Sequence, residues 1–259
     1  MPTKTIGFIG GGRITHIFLK ALGSRTLPPE TATVSDSQPE VLSRLQAAFP
    51  AVTVTADNRQ AASRDIVFVA LHPPAIKSVL PEIRDCLAAR TIVVSLAPVL
   101  TFQKLADLLG GFSRLVRMIP NAPSVVHAGY NPLAFHPSIS AEERAEIESL
   151  LAPLGQNPAV AEETLEAYAI LAAMGPTYFW FQWQALRRLG DSFGLSPADT
   201  DSALEAMLRG SVDTFFHSGL SFEEVWDLIP VKPLAGQEAQ IREAYETSLT
   251  ALYARLKGK

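Results

Sequence analysis

The sequence predicts an α/β domain with a mainly parallel sheet, followed by an all-helical domain. Three observations carry this. Up to about residue 160, short β-branched runs alternate with helix-length segments. Several of those runs are apolar throughout, as strands covered on both faces are. After residue 160 the runs stop and helical periodicity takes over. The boundaries drawn from this are 1–160 and 161–259.

The strand runs fall at 5–9, 31–35, 52–54, 65–70, 91–95 and 114–118. Capping-box pairs mark helix starts at Asp57 with Gln60 and at Ser140 with Glu143. In the second half, helices are expected at 162–173, 177–193, 197–217, 222–228 and 237–256. Ser196, Pro197 and Asp199 together form a helix start, and Ser221 with Glu224 forms another capping box. Gly194 and Gly219 supply stops.

Composition excludes several classes. Hydrophobic residues make up 47% and charged residues 19%, which fits a globular chain able to bury a core. Net charge is −4 with no basic run, so no counterion-releasing face for nucleic acid is present. The most apolar stretch, 168–183, is shorter than the roughly 20 residues a bilayer needs and contains Gly175-Pro176, so no membrane span is expected. A single cysteine, Cys86, allows no internal disulfide, and no secretory leader precedes the first strand. The expected compartment is the cytoplasm. The partners expected are a small molecule and another copy of the chain. The five histidines are scattered without ligand spacing, so no metal site is expected.

The first strand runs into Gly10-Gly11-Gly12-Arg13-Ile14-Thr15 and then an apolar helix. This is the G-x-G-x-x-[G/A] fingerprint of a Rossmann dinucleotide-binding domain, with Thr15 in the third position. Gly10 permits the tight turn, and Gly12 allows the backbone to approach a pyrophosphate at the helix N-terminus. Asp36 ends the second strand, 21 residues beyond Thr15. A carboxylate there accepts ribose hydroxyls and repels a 2′-phosphate, which favours NAD over NADP. Two features leave this open. Asp36 is also placed to cap the next helix, and the Arg13 guanidinium is within reach of a phosphate.

Several segments resemble the pyrroline-5-carboxylate reductase family. They include residues 6–12, Ala56-Asp57-Asn58, 65–73, 92–97, Arg117-Met-Ile-Pro-Asn-Ala-Pro123, 150–155 and Gly175-Pro-Thr-Tyr178. The resemblance implies a Rossmann domain followed by an all-helical dimerisation domain that interlocks two subunits. It also implies hydride transfer from NAD(P)H to the C=N bond of a carboxylated cyclic imine, giving proline. Carried over residue by residue, Gly10, Gly11, Gly12, Arg13 and Ile14 surround the pyrophosphate, and Asn58 lies near the adenosine. Leu71, His72 and Pro73 flank the cofactor, with His72 replacing a lysine, and Ser95 and Asn121 sit on loops near the nicotinamide.

The substrate half departs from the family. Its Ser-Pro-Gly-Gly-Thr-Thr segment has become Ile229-Pro-Val-Lys-Pro-Leu-Ala-Gly236, in which Pro233 lacks an N–H. Lys232 is the candidate replacement for the lost carboxylate donors, with a solvated surface lysine as the alternative. Tyr178 is a candidate proton donor or polar contact. It also opens an aromatic run to Trp183 that reads as dimer core. Three functions stay open: a pyrroline-5-carboxylate reductase with a divergent pocket, a related reductase for another imine or carbonyl compound, and a non-catalytic dinucleotide-binding dimer.

Overall fold

The computed structural model describes residues 4–23 and 31–258. Its first part alternates strand and helix: β1 (Ile6–Ile9), α1 (Arg13–Gly23), β2 (Ala32–Ser35), α2 (Pro39–Ala48), β3 (Thr53–Thr55), α3 (Asn58–Ala62), β4 (Ile66–Val69) and α4 (Pro73–Ile83). It continues through β5 (Ile92–Ser95), α5 (Phe102–Leu108), β6 (Leu115–Met118), β7 (Gly129–Tyr130), β8 (Leu133–Phe135), α6 (Ala141–Leu151) and β9 (Gly155–Gln156). A mostly parallel sheet runs β3-β2-β1-β4-β5-β6-β8, and only β8 pairs antiparallel, against β6. Strands β7 to β9 are short and carry no periodic signal, so the sequence does not announce them. β8 closes the β6 edge, and β7 pairs with β9 in a separate two-stranded sheet.

Alternate strand residues feed two cores, one on each face. Phe8, Phe68, Val94 and Val116 pack with α1 on one face. Ile9, Val67, Val93 and Leu115 pack with α4 and α5 on the other. In the first core Phe8 stacks on Phe68 at 4.9 Å, and Phe18 meets Phe68 edge-on at 5.6 Å. The all-apolar strands are therefore buried on both sides, as their composition implied.

The chain divides into two compact units, Met1–Met174 with Tyr253–Lys259, and Gly175–Leu252. Against the sequence boundary at 160, the first unit extends further. The reason lies in α7 (Leu165–Tyr168) and the π-helical turn Ala169–Ala173 after it. Leu165, Ala169 and Ile170 are buried, and Leu165 and Ala169 join the second core. Glu162 and Glu166 pair with Arg117 of β6, which is 1% exposed. The C-terminus returns to the same unit, where the Lys257 ammonium donates to the Glu163 carbonyl.

The second unit holds α8 (Pro176–Ser192), α9 (Pro197–His217), α10 (Phe222–Asp227) and most of α11 (Glu238–Leu256). The caps read from the sequence are present: Ser196 accepts from the Asp199 amide, and Ser221 with Glu224 forms a full capping box. Helices α8 and α9 cross closely, since a Cβ on Gly190 would lie 2.5 Å from the Thr200 side chain. No large apolar side chain of this unit is buried, and its buried residues are Gly175, Gly190 and Thr200. Among the described residues no helix is long and apolar enough to cross a membrane.

Candidate functional site

The strand order reverses at β1, which pairs with β2 on one side and β4 on the other. Open α/β sheets bind ligands beyond the carboxyl ends of their strands at such a point. A crevice of about 980 Å³ lies there. Its walls come from the segments that follow β1, β4, β5 and β6: Gly11 to Ile14, Ala70 to His72, Leu96 to Pro98, and Pro120.

The three glycines of the turn differ in what they are required for. Gly10 has φ +100°, and a Cβ on it would meet the Ala70 carbonyl oxygen at 2.5 Å. Its N–H donates to the Ser35 carbonyl at 2.8 Å, which anchors the turn to β2. A Cβ on Gly11 would strike Leu45 of α2 at 2.5 Å. On Gly12 it would meet nothing within 4 Å. The fold thus demands glycine at 10, leaves room for a side chain at 11 only if Leu45 and Val41 shift, and makes no such demand at 12, where the backbone borders open crevice. That opening fits a pyrophosphate lying against the first turn of α1. Thr15 is accommodated because its side chain is fully buried and its hydroxyl donates to the Gly10 carbonyl at 2.6 Å.

Asp36 stands beside this turn. One carboxylate oxygen accepts from the Gly11 amide at 2.8 Å and the other from the Gln38 amide at 2.9 Å. Gln38, not Asp36, is the N-cap residue of α2, and its side chain makes no cap bond. Asp36 retains lone pairs for further donors, since a carboxylate offers about four acceptor sites. Arg13 lines the crevice, joined by Arg44 and His16. Arg44 was not among the expected residues. It lies on the face of α2 that flanks the glycine turn, which no short-range motif marks.

The remaining expected residues separate into two groups. Leu71 and His72 line the crevice, His72 as the exposed N-cap of α4 and Pro73 as the first residue of that helix. Asn58, Ser95 and Asn121 are held within the fold. Asn58 accepts a hydrogen bond from the Ser35 hydroxyl at 2.9 Å. Ser95 is the last residue of β5 rather than a loop residue, and its hydroxyl is buried without a hydrogen-bond partner. Asn121 is 4% exposed, and its side-chain amide donates to the Ala172 carbonyl in the π-helical turn at 2.5 Å.

Asn131 was missed. It is fully buried, and its side-chain carbonyl oxygen accepts from the Asn121 amide at 2.8 Å and the Ser124 hydroxyl at 3.0 Å. Its NH2 group donates to Asn157 at 3.1 Å. This satisfied network fixes the chain that follows Pro120. A lone asparagine after a tyrosine gives no sequence signal for it.

The β5–α5 loop carries a second unannounced feature. Val99 has φ +76°, a left-handed conformation that costs a β-branched residue about 1–3 kcal/mol. Its N–H donates to Glu166 at 3.1 Å, and the Phe102 N–H donates to Glu162 at 2.6 Å. The same two carboxylate oxygens accept from Arg117, Glu166 at 2.7 Å and Glu162 at 3.0 Å. Burial pushes the Glu166 carboxyl up, but the Arg117 guanidinium and the Val99 amide outweigh it and hold it below its ordinary range. It is therefore ionised at neutral pH.

In the second unit, Lys232 donates to the Ile229 carbonyl at 2.9 Å and stands 5.3 Å from the centre of the Trp226 ring. It borders an apolar hollow of about 480 Å³ with Phe215, Trp226 and Ile241. Tyr178 is half-buried, and Tyr245 meets it edge-on at 5.8 Å. Burial, and secondarily Tyr245, push its phenol above the usual range, so it remains a donor.

The glycine geometry gives a paired expectation. Gly10→Ala should lower stability by about 2–4 kcal/mol, because strain and a backbone clash coincide. Gly12→Ala should change stability by less than about 1 kcal/mol yet weaken dinucleotide binding about tenfold. Thermal melts and cofactor titration of both variants check this. Undiminished binding by Gly12→Ala would mean that no pyrophosphate lies against residue 12.

Comparison with known proteins finds likeness in both sequence and fold. The family described as "NADP oxidoreductase coenzyme F420-dependent" matches residues 5–98. A pyrroline-5-carboxylate reductase of Corynebacterium melassecola is 27% identical over 255 residues, spanning 97% of this chain and 94% of that one. The structure of a pyrroline-5-carboxylate reductase from Coxiella burnetii has a TM-score of 0.77 at 27% identity, covering 99% of this chain and 98% of that chain. A pyrroline carboxylate reductase of Plasmodium falciparum, solved with NADP bound, shares the fold at TM-score 0.83 and 18% identity, with 98% of each chain covered. Over almost its whole length, the chain is similar in sequence and in fold to pyrroline-5-carboxylate reductases.

Proposed function

We propose that the protein is an NAD(P)H-dependent reductase that converts pyrroline-5-carboxylate to proline. The observation that carries this is the likeness to such reductases through both halves of the chain, 97% of its length in one relative. The crevice supports it, since its glycine turn, helix N-terminus and open backbone at Gly12 suit a dinucleotide. When bound there, the nicotinamide supplies the hydride. The chain's own residues do the positioning, holding the imine carbon against the cofactor and neutralising the substrate carboxylate. The cyclic imine is basic enough to arrive protonated, so little acid–base machinery is needed.

Lys232 is proposed as the carboxylate partner. It spends one donor on Ile229 and keeps two, and Pro233 beside it offers no N–H. Tyr178, held protonated, is proposed as a polar contact to the ring. A related reductase for another imine is the second reading. It is favoured by the rebuilt segment 229–236, where the family's glycine amides are absent.

We further propose that the second unit forms a homodimer. Phe181 is 68% exposed and Phe216 69%, and Phe179, Trp180, Phe215 and Trp226 are about half-exposed. A soluble monomer rarely leaves so much contiguous apolar surface in water.

Three outcomes are expected. NAD(P)H oxidation should be sustained by pyrroline-5-carboxylate, and Lys232→Ala should raise its KM about tenfold, the weight of one charge-assisted bond, with cofactor affinity unchanged. Turnover of the same ring lacking a carboxylate, but not of pyrroline-5-carboxylate, would select the second reading. Sedimentation should give a dimer at micromolar concentration, and a folded monomer there would sink the proposed interface. Finally, NADH should bind more tightly than NADPH. Repulsion between Asp36 and a 2′-phosphate is roughly 1–2 kcal/mol after screening, about five- to thirtyfold. Arg13 and Arg44 oppose it, so the lower end is expected. Asp36→Ser should narrow the gap, and wild type that binds both cofactors equally would overturn the preference.

A further inference from the structure

The β5–α5 loop has two roles at once. Leu96, Ala97 and Pro98 form one wall of the crevice. One residue later, Val99 turns into the left-handed region, and Val99 and Thr101 border a separate hollow of about 220 Å³ with Arg117, Glu162 and Glu166. A valine does not hold such a conformation unaided. Here its amide is tied to Glu166, and three residues on the Phe102 amide is tied to Glu162. Both carboxylates lean on one guanidinium buried in β6. Thr101, between the two tied amides, caps α5 by accepting from the Lys104 amide.

We propose that Glu166, supported by Arg117 and Glu162, is a positioning residue: it holds Val99 in its left-handed turn and thereby sets the Leu96–Pro98 wall against the bound dinucleotide. This rests on the reading of the crevice as the dinucleotide site. Glu166 itself does not line that crevice, so it acts through the loop. Its side chain is 6% exposed, and its second oxygen is 3.9 Å from the Lys257 ammonium. The C-terminal turn therefore belongs to the same clamp. Without the Glu166 bond, Val99 should relax toward negative φ and carry the wall with it. Glycine at 99 adopts the left-handed turn without help and so removes the need for the clamp.

The test compares NADH dissociation constants and melting temperatures of wild type, Glu166→Leu, which has no acceptor for the Val99 amide, and Glu166→Leu with Val99→Gly. Glu166→Leu should weaken NADH binding about five- to 150-fold, the equivalent of the strain released. Adding Val99→Gly should bring affinity back to within about threefold of wild type, while the loss of melting temperature from the disturbed Arg117 pair persists. If Glu166→Leu does not fold, Glu166→Asp keeps the charge on Arg117, shortens the arm to Val99, and is read in the same way. Unchanged affinity in the Glu166 variants overturns the assignment, and so does a loss that Val99→Gly does not recover. Wild type that binds neither NADH nor NADPH overturns the proposed function together with it.

Discussion

A guanidinium buried in the last parallel strand must be neutralised where it lies, and the way this chain does so organises much of the first unit. Arg117 is 1% exposed, and an unpaired charge at that depth is too costly to leave. Glu162 and Glu166 come from the segment just after the sheet, which explains why that segment stays with the first unit rather than joining the later helices. Each carboxylate also accepts a backbone amide from the β5–α5 loop. One cation thus ties together a strand, a helix and a crevice wall. Its Nε remains without a partner, so the pairing is incomplete. An apolar trio of the same volume would often be as stable. The reason for keeping the charge is then the directional hold on the loop, which apolar packing does not supply.

How much of this the sequence disclosed depended on the range of each signal. The glycine turn, the strands of the parallel sheet and the capping boxes at Ser140 and Ser221 rest on residues a few positions apart, and they were legible. So was Asp36, because its spacing from the turn is set by one helix and one strand. Asp57, by contrast, caps α3 through the Arg59 amide rather than in a box with Gln60. Ser95 and Asn121 carry a legible position, but their side-chain surroundings are set by distant residues: the Ser95 hydroxyl is buried, and the Asn121 amide reaches Ala172, 51 positions on. Arg117 was visible only as part of a matching segment. Its partners lie 45 and 49 positions away, and no periodicity links them. Asn131 escaped notice for the same reason.

The two units also differ in how they meet water. The first surrounds its sheet with two apolar cores and closes its polar interior with hydrogen-bonded networks. The second presents phenylalanines, tryptophans and leucines on helices that bury almost nothing among themselves. Local caps and the Gly190–Thr200 crossing define its helices, but these are small terms beside the apolar surface left uncovered. The proposed second copy of the chain would cover that surface.

The most direct measurement is residue-resolved hydrogen exchange of the intact protein with and without NADH. The account predicts that the Val99 and Phe102 amides exchange slowly in both states, because the clamp exists before the cofactor arrives. It also predicts that the amides of Gly12, Arg13 and Ile14 slow only when NADH is added. Fast exchange at Val99 and Phe102 in the free protein, or NADH protection confined to segments away from the glycine turn, would contradict it.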